Sequence, residues 1–269
     1  MIAIDLDGTL LSPQLDLAGA AIEAVQEAVR RGIAVVIATG RMYRSAMPYA
    51  RQLSLPAGPL ITYNGALVRD WPGGRTVRHQ PVALADALEV VEFARAHRCH
   101  LQIYLDDEYY FAADGPPARR YAEIAGFEGR AVGPLDRFLR GLPAAAGAPT
   151  KLLLLEEPGR LDELQPLLDC QVGGRLYLTR SYPFFLELMD RGVSKGAALA
   201  AVAARQGVRP AEILAIGDSP NDLPMLAVAG HTAAVADAAE TVRRRAQYVT
   251  GGRWGDGVAE AIRRFALEG

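Results

Sequence analysis

The sequence predicts an α/β fold in which a parallel-sheet core is interrupted by an inserted α+β domain. In residues 1–80 and again in residues 190–269, short apolar runs alternate with amphipathic helix patterns, which is typical of βαβ units. In residues 81–189, strand patterns follow one another directly, which is typical of antiparallel pairing. Half of the 269 residues are apolar, so the chain can bury a large core. We therefore expect a discontinuous core domain over 1–80 and 190–269 and a second domain over 81–189.

The first part of the core is predicted to contain three buried strands and two helices. Each strand is a short apolar run, and the first of them ends at an Asp-Gly pair. Ile22, Val25 and Val29 form one apolar stripe on the first helix, which Gly32 should end. The expected elements are strand 1–6, helix 18–31, strand 33–38, helix 44–53 and strand 60–63.

The inserted segment is predicted to form an antiparallel sheet with helices. Its first two strands flank Asp106-Asp107-Glu108 as the arms of a hairpin would. The expected helices cover 84–96, 117–125 and 161–168, and the expected strands cover 101–105, 109–111, 151–156, 175–180 and 184–189.

After the insert the βαβ pattern returns. Ser194 is suited to cap the first helix of this second part, because its hydroxyl can accept a backbone N–H of the first turn. The expected elements are helix 194–205, strand 212–216, helix 222–228, strand 232–235 and helix 258–267.

Composition and charge exclude several classes of function. The net charge is −2 with both signs of charge present, whereas nucleic-acid-binding proteins usually carry a basic face. No apolar run is long enough to span a bilayer, and the first residues lack the basic-then-apolar pattern of a signal peptide. The two cysteines, Cys99 and Cys170, do not make a disulfide framework. We expect a cytoplasmic protein with no nucleic-acid or membrane partner, and the sequence leaves its oligomeric state open.

Two carboxylates follow the first predicted strand. Alternation along a strand would place Asp5 and Asp7 on one side, and Gly8 would let the chain turn sharply after them. A carboxylate can attack phosphorus to form an aspartyl-phosphate. A second carboxyl group can protonate the leaving oxygen and later accept a proton from water. The alternative is an ordinary Asp-Gly turn without chemistry.

Three further segments carry groups that suit a metal ion and a phosphoryl group. Asp218 and Asp222 follow strand 212–216 and offer hard oxygen ligands for Mg²⁺, although such a loop can also simply cap a helix. Thr39-Gly40-Arg41 could bind phosphate through a hydroxyl, backbone amides and a guanidinium. Lys195 begins a predicted helix, where a cation is unfavourable against the helix dipole unless phosphate or carboxylates balance it. Because parallel strands end at one edge of a sheet, we expect these segments to converge.

These segments resemble the four motifs of the haloacid dehalogenase superfamily of phosphohydrolases, in the order that the family has them. The motifs are Asp5-Leu6-Asp7-Gly8-Thr9-Leu10, Thr39-Gly40-Arg41, Lys195 in Gly192-Val193-Ser194-Lys195-Gly196, and Gly217-Asp218-Ser219-Pro220-Asn221-Asp222. Tyr63-Asn64-Gly65-Ala66 is similar to the Cof-type branch, whose large α/β cap is inserted after the third core strand. The resemblance implies a Rossmann-like core with an inserted α+β cap domain. One departure is Val235-Ala236-Asp237-Ala238, where the branch often has Met-Gly-Asn-Ala, so Asp237 is assigned no role.

The resemblance also implies a role for each matched residue. Asp5 would be the nucleophile and Asp7 the general acid/base. Asp218 would bind Mg²⁺ together with Asp5 and the backbone carbonyl of Asp7, and Asp222 would support the metal site. The candidates for contacts to phosphate or substrate are Thr39, Gly40, Arg41, Asn64, Lys195 and Asn221.

We therefore expect a Mg²⁺-dependent phosphatase that hydrolyses a small phosphorylated metabolite, first of all a sugar phosphate, through an aspartyl-phosphate. A sugar phosphomutase is the alternative enzyme, because the same intermediate can return its phosphoryl group to a sugar. A non-catalytic regulatory protein that binds a phosphate ligand on the same fold is the alternative outside enzymes. Specificity is expected to depend on the insert, where the sequence indicates no decisive residue.

Overall fold

The computed structural model describes residues 1–143 and 147–268, and the chain divides into two compact units. Unit 1 comprises Met1–Arg78 and Ser194–Gly269, and unit 2 comprises His79–Val193. Both units combine helices with strands, and unit 1 contains a parallel sheet. The predicted α/β fold class is confirmed.

The predicted strands and helices are all present, with bounds that differ by a few residues. The strands are β1 Ile2–Ile4, β2 Val35–Ile37, β3 Gly58–Thr62, β4 Leu67–Trp71, β5 Thr76–His79, β6 His100–Leu105, β7 Glu108–Phe111, β8 Arg130–Ala131, β9 Lys151–Leu155, β10 Leu176–Tyr182, β11 Phe185–Asp190, β12 Leu214–Gly217, β13 His231–Ala234 and β14 Tyr248–Val249. The helices are α1 Gly19–Arg30, α2 Tyr43–Gln52, α3 Leu84–Ala96, α4 Pro116–Ala125, α5 Leu135–Arg140, α6 Pro158–Val172, α7 Lys195–Arg205, α8 Leu223–Val228, α9 Glu240–Arg243 and α10 Trp254–Ile262.

The sheet of unit 1 has five parallel strands in the order β14-β13-β12-β1-β2. Strand β1 lies between β12 and β2, with Ile4 paired to Ile216 on one side and to Ile37 on the other. All three residues are fully buried, so the apolar runs of the sequence form the centre of the core. Because β1, β2 and β12 end at the same edge, the residues that follow them meet there.

The third predicted strand, β3, leaves this parallel sheet after a single bridge between Ala38 and Ile61. It otherwise pairs antiparallel with β4, and β4 is hydrogen-bonded to β5. Neither β4 nor β5 was predicted from the sequence. Their polar side chains, including Arg69 and Asp70, are only partly buried, so no continuous apolar run marks them.

The six strands of the sheet in unit 2 lie in the order β10-β11-β9-β6-β7-β8, and all pairs except β7–β8 are antiparallel. The predicted hairpin is confirmed: Asp106 and Asp107 both have positive φ, as a two-residue turn between β6 and β7 requires. The short elements β8 and α5 were not predicted. Among the helices that the structure describes in either unit, none is long and apolar enough to cross a membrane.

Helix α7 begins at the predicted cap. The Ser194 hydroxyl accepts the backbone N–H of Ala197 at 3.0 Å. Gly196 lets α7 approach the start of α8, since a Cβ at that position would lie 2.1 Å from the carbonyl oxygen of Pro224. This close contact sets Lys195 beside the turn that follows β12.

Candidate active site

Three carboxylates converge at the carboxyl edge of the sheet in unit 1. Asp5 follows β1, while Asp218 and Asp222 belong to the turn after β12. One oxygen from each lies within 4.8 Å of the others. Asp5 and Asp222 are buried, and Asp218 is partly buried. The structure therefore brings these three of the predicted metal-site residues together.

Lys195 supplies the only positive charge hydrogen-bonded to this cluster among the described residues. Its ammonium group, which is 0% exposed, donates to Asp5 Oδ1 at 2.5 Å and to Asp222 Oδ1 at 2.6 Å. Burial acts to lower the pKa of Lys195, but the charges of Asp222 and Asp5 outweigh it and the pKa lies above its ordinary value. The lysine is therefore held as a cation.

Burial dominates the electrostatics of Asp5. It raises the pKa of this carboxyl group well above the ordinary value, the charge of Lys195 opposes the rise, and the charges of Asp222 and Asp218 add to it. With three carboxylates around one ammonium group, the cluster carries more negative than positive charge when all of them are ionised. A further cation at this position would offset the excess.

Asp222 has both carboxylate oxygens engaged. Oδ1 accepts from Lys195, and Oδ2 accepts the backbone N–H groups of Asp218 at 3.0 Å and Ser219 at 3.1 Å. Gly217 must be a glycine here, because a Cβ would lie 2.6 Å from the Cβ of Asp222. These bonds fix the turn and suit Asp222 to support the site.

Asp218 is oriented by a residue to which the sequence analysis gave no role. The hydroxyl of Thr9, which is fully buried, donates to Asp218 Oδ1 at 2.8 Å. On the other side Gly8 has φ +81°, and a Cβ there would lie 2.5 Å from Asp218 Oδ2. Burial, with the charge of Asp222, raises the pKa of Asp218 to about 6. The sequence feature that could have indicated this role is the position of the Thr9 hydroxyl, directly after Asp5, Asp7 and Gly8 in the chain.

Asp7 is not among the three carboxylates of the cluster, and its side chain, unlike that of Asp5, is exposed. Strand β1 ends at Ile4, and Leu6, between the two aspartates, is fully buried. The side chain of Asp7 is 45% exposed and forms a two-point ion pair with Arg41, from Nε to Oδ2 at 2.8 Å and from Nη2 to Oδ1 at 2.5 Å. Arg41, predicted to contact phosphate or substrate, is thus engaged with Asp7.

The remaining predicted binding residues form a second polar group in unit 1. Asn221 donates from Nδ2 to Asn64 Oδ1 at 3.0 Å, and the Ser219 hydroxyl donates to Asn221 Oδ1 at 2.6 Å. Gly40 lies against the same carboxamide, since its Cβ would be 3.2 Å from Asn64 Oδ1. Asn64 also donates its backbone N–H to the carbonyl of Thr39 at 3.0 Å.

Thr39 connects this second group to Arg41. Its side chain is fully buried, and Oγ1 accepts the backbone N–H of Arg41 at 3.1 Å. The chain therefore turns around the threonine hydroxyl directly after β2. Thr39, Asn64 and Asn221 were predicted as binding residues from the sequence, whereas Ser219, which orients the Asn221 carboxamide, was named within its motif but given no role.

The arrangement has the parts for group transfer to a carboxylate. A buried Asp5 is available as a nucleophile, a fixed ammonium group can balance anionic charge, and Asp218 offers oxygen ligands to a divalent cation. A second carboxylate, Asp7, lies nearby in sequence, and its side chain is exposed to solvent.

Comparison with known proteins places these features in a family. A family model described as haloacid dehalogenase-like hydrolase matches residues 2–262. A protein from Streptococcus pyogenes, provisionally named a phosphatase, is 30% identical over 99% of this chain and 98% of its own. The pyridoxal phosphate phosphatase YbhA of Escherichia coli is 28% identical over 97% of both chains. A crystal structure from Thermotoga maritima is 30% identical, covers 98% of this chain and 97% of its own, and has a TM-score of 0.88.

Proposed function

Because the chain belongs to the haloacid dehalogenase-like hydrolase family, we propose that it is a Mg²⁺-dependent phosphatase that hydrolyses a small phosphorylated metabolite through an aspartyl-phosphate on Asp5. Membership of this family, with relatives that are named phosphatases, makes the chain a phosphoric monoester hydrolase. The observation that carries the finer proposal is the buried Asp5 carboxylate, hydrogen-bonded to Lys195 within a cluster of acidic oxygens.

Magnesium is the cation that the residues suit best. The cluster offers carboxylate oxygens alone, which are hard ligands, and it has an excess of negative charge. Asp218 and Asp5 would hold the ion, Asp222 would fix the turn that carries Asp218, and the Asp7 carbonyl is the further ligand that the family resemblance implies. When bound, Mg²⁺ would neutralise phosphoryl oxygens and favour the ionised form of Asp5, whose pKa burial raises.

The chemical steps use Asp5 and Asp7. A carboxylate oxygen of Asp5 attacks phosphorus, the bond from phosphorus to the ester oxygen breaks, and that oxygen takes a proton from Asp7 as the alcohol leaves. Asp7, now a carboxylate, accepts a proton from water, and the hydroxide attacks the aspartyl-phosphate to release inorganic phosphate and restore Asp5. Lys195 balances the anionic charge in both steps.

The substrate class remains that of a small phosphorylated metabolite, with a sugar phosphate as the first choice. The relative named for pyridoxal phosphate extends the choice to cofactor phosphates. We also propose that unit 2 is the cap domain of the family and supplies substrate specificity. A panel of sugar, nucleotide and cofactor phosphates, assayed for phosphate release by the purified protein, would identify the preferred substrate.

The test of the proposed function is phosphate release from an aryl phosphate and from the panel, with Mg²⁺ and with a chelator. We expect Mg²⁺-dependent release that Asp5→Asn abolishes, because an amide is a poor nucleophile. Asp237→Asn is the matched control, since it makes the same change at an exposed residue outside the cluster. Full activity of Asp5→Asn would contradict the proposal.

The two alternatives are outcomes of the same assays. Interconversion of hexose phosphates without net release of phosphate would identify a phosphomutase. Binding of phosphate ligands with no release from any substrate, in the presence of Mg²⁺, would identify a non-catalytic binding protein.

A further inference from the structure

We propose that Arg41 is a positioning residue for Asp7 and does not bind the phosphate of the substrate. The inference deepens the proposed function and rests on it, since it concerns how the acid/base group of that reaction is held. It also revises the expectation that Arg41 contacts phosphate or substrate.

The geometry of the guanidinium carries the proposal. Nε and Nη2 of Arg41 donate to the two oxygens of Asp7 at 2.8 and 2.5 Å, which is the parallel two-point arrangement that arginine makes with carboxylates. Nη1 donates to the Tyr49 hydroxyl at 3.2 Å, and the guanidinium carbon lies 5.1 Å from the centre of the Tyr49 ring. The edge with which arginine would hold a phosphate in the same way is therefore occupied by Asp7.

Arg41 is anchored at both ends, so it can act as a fixed support. Its backbone N–H donates to Thr39 Oγ1, and its carbonyl accepts the N–H of Tyr63 at 2.9 Å. Tyr49, which receives the far end of the side chain, is buried in the core of unit 1 on α2. The side chain of Arg41 is only 21% exposed.

Asp7 needs such a support because nothing else in the described hydrogen-bond network holds its carboxylate. It lies on a turn beyond the end of β1, and its side chain is 45% exposed. A carboxyl group that must meet first the leaving oxygen and then a water molecule gains rate from being held in one orientation. Replacing the two-point contact should therefore affect turnover and leave phosphate binding unchanged.

The test compares Arg41→Lys, Asp7→Asn and the double variant in Mg²⁺, with an aryl phosphate as substrate and inorganic phosphate as inhibitor. Lysine keeps the charge and loses the planar fork, so we expect kcat to fall by about 10- to 100-fold. The inhibition constant of phosphate should stay within about twofold of wild type, because ligand contacts are retained. The kcat of the double variant should be no lower than that of Asp7→Asn, since both changes disable the same acid/base group. Arg51→Lys is the control, since this arginine lies on α2, after Arg41 in the chain, and packs over Trp71 instead.

A rapid-mixing experiment adds a readout that a loss of folding would not produce. An aryl leaving group is stable as an anion, so the first step depends less on Asp7 than the hydrolysis of the aspartyl-phosphate does. Arg41→Lys and Asp7→Asn should then both release a burst of aryl alcohol equal to the enzyme concentration. Tyr49→Phe keeps the ring and removes the hydroxyl, so its kcat should lie between those of wild type and Arg41→Lys.

The outcomes separate failure of this inference from failure of the proposed function. Two results would make Arg41 a phosphate ligand and overturn the inference alone. The first is an inhibition constant of phosphate that rises in Arg41→Lys by the same factor as its activity falls. The second is a double variant whose loss of kcat is the product of the losses in the two single variants. Full activity of Asp7→Asn would remove Asp7 from the reaction and overturn the inference, whereas the absence of Mg²⁺-dependent phosphate release by the wild-type protein would overturn the proposed function.

Discussion

Replacing Lys195 by methionine should destabilise the metal-free protein strongly, because it leaves the Asp5 and Asp222 carboxylates buried without their cation. The lysine is 0% exposed and bonds both carboxylates, at 2.5 and 2.6 Å. Removing one partner of a buried ion pair costs about 3–5 kcal/mol. For a protein of 150–250 residues, each 1 kcal/mol lowers Tm by about 2–4 °C, so a fall of roughly 6–20 °C is expected for the transition of unit 1.

The assay is differential scanning calorimetry with a chelator at neutral pH, repeated at lower pH and with Mg²⁺. Protonation of Asp5 removes one uncompensated charge, and because burial raises its pKa well above the ordinary value, the loss should shrink as the pH is lowered. Mg²⁺ should also restore part of the loss by supplying positive charge.

Lys151→Met is the matched control, since this lysine is also buried and is paired with a carboxylate, Glu187, at 2.9 Å in unit 2. Lys151→Met should be destabilised as well, but Mg²⁺ should raise its Tm by as much as it raises that of wild type. A loss below about 1 kcal/mol in metal-free Lys195→Met would refute the reasoning, because a cost that small is typical of exposed pairs.

The remaining predictions concern the metal site and the packing beneath it. Thr9→Val, which removes the hydroxyl that holds Asp218, should weaken Mg²⁺ binding by about 10-fold in calorimetric titration while Thr9→Ser retains it, and equal affinities would contradict the orienting role. The rise in Tm caused by Mg²⁺ should diminish as the pH falls through about 6, where the proton competes for Asp218 in the folded protein, and Asp218→Ala should show little rise at any pH. Gly196→Ala should cost about 1–3 kcal/mol in chemical denaturation, because its Cβ would lie 2.1 Å from the carbonyl oxygen of Pro224. Gly159→Ala, on a helix with no atom within 4 Å of the new Cβ, should not be destabilised, and similar losses in both would show that the contact at α7 is unimportant.

The parallel sheet was predictable because its strands are buried on both faces. Such strands are continuous apolar runs, and each of β1, β2 and β12 lies in one that ends at a turn signal. The meander of β4 and β5 was missed for the opposite reason. Its strands are partly exposed and contain polar residues, and the pairing of β4 with β3 depends on the turn at Tyr63–Gly65, which no apolar pattern indicates.

The convergence of the three carboxylates was predictable from the sequence, but the bonds among the residues of the candidate site were not. Asp5, Asp218 and Asp222 were predicted to meet because each follows a parallel strand or its turn, and strand ends share an edge. Thr9 was not assigned a role because a threonine on a turn is common and its partner is 209 positions away. The engagement of Arg41 with Asp7 was missed because Arg41 had been considered as a contact to phosphate or substrate, and Asp7 as the acid/base group and a source of a metal-binding carbonyl.

The different surroundings of Asp5 and Asp7 follow from where the β1 ladder stops. The backbone N–H of Asp5 still donates to Ile216 at 3.1 Å, so Asp5 is fixed to the sheet and its side chain is directed into the buried cluster. The N–H groups of Leu10 and Leu11 both donate to the carbonyl of Leu6, at 3.0 and 2.8 Å, which closes the chain into a tight turn with Asp7 on its exposed side.

The alternation of strand side chains no longer applies past Ile4, because no ladder continues there. The carboxylate of Asp5 is thereby buried, whereas the carboxylate of Asp7 is exposed to solvent. In the described hydrogen-bond network, the exposed Asp7 side chain has no contact with the buried cluster to hold it, and the two-point ion pair with Arg41 supplies that support.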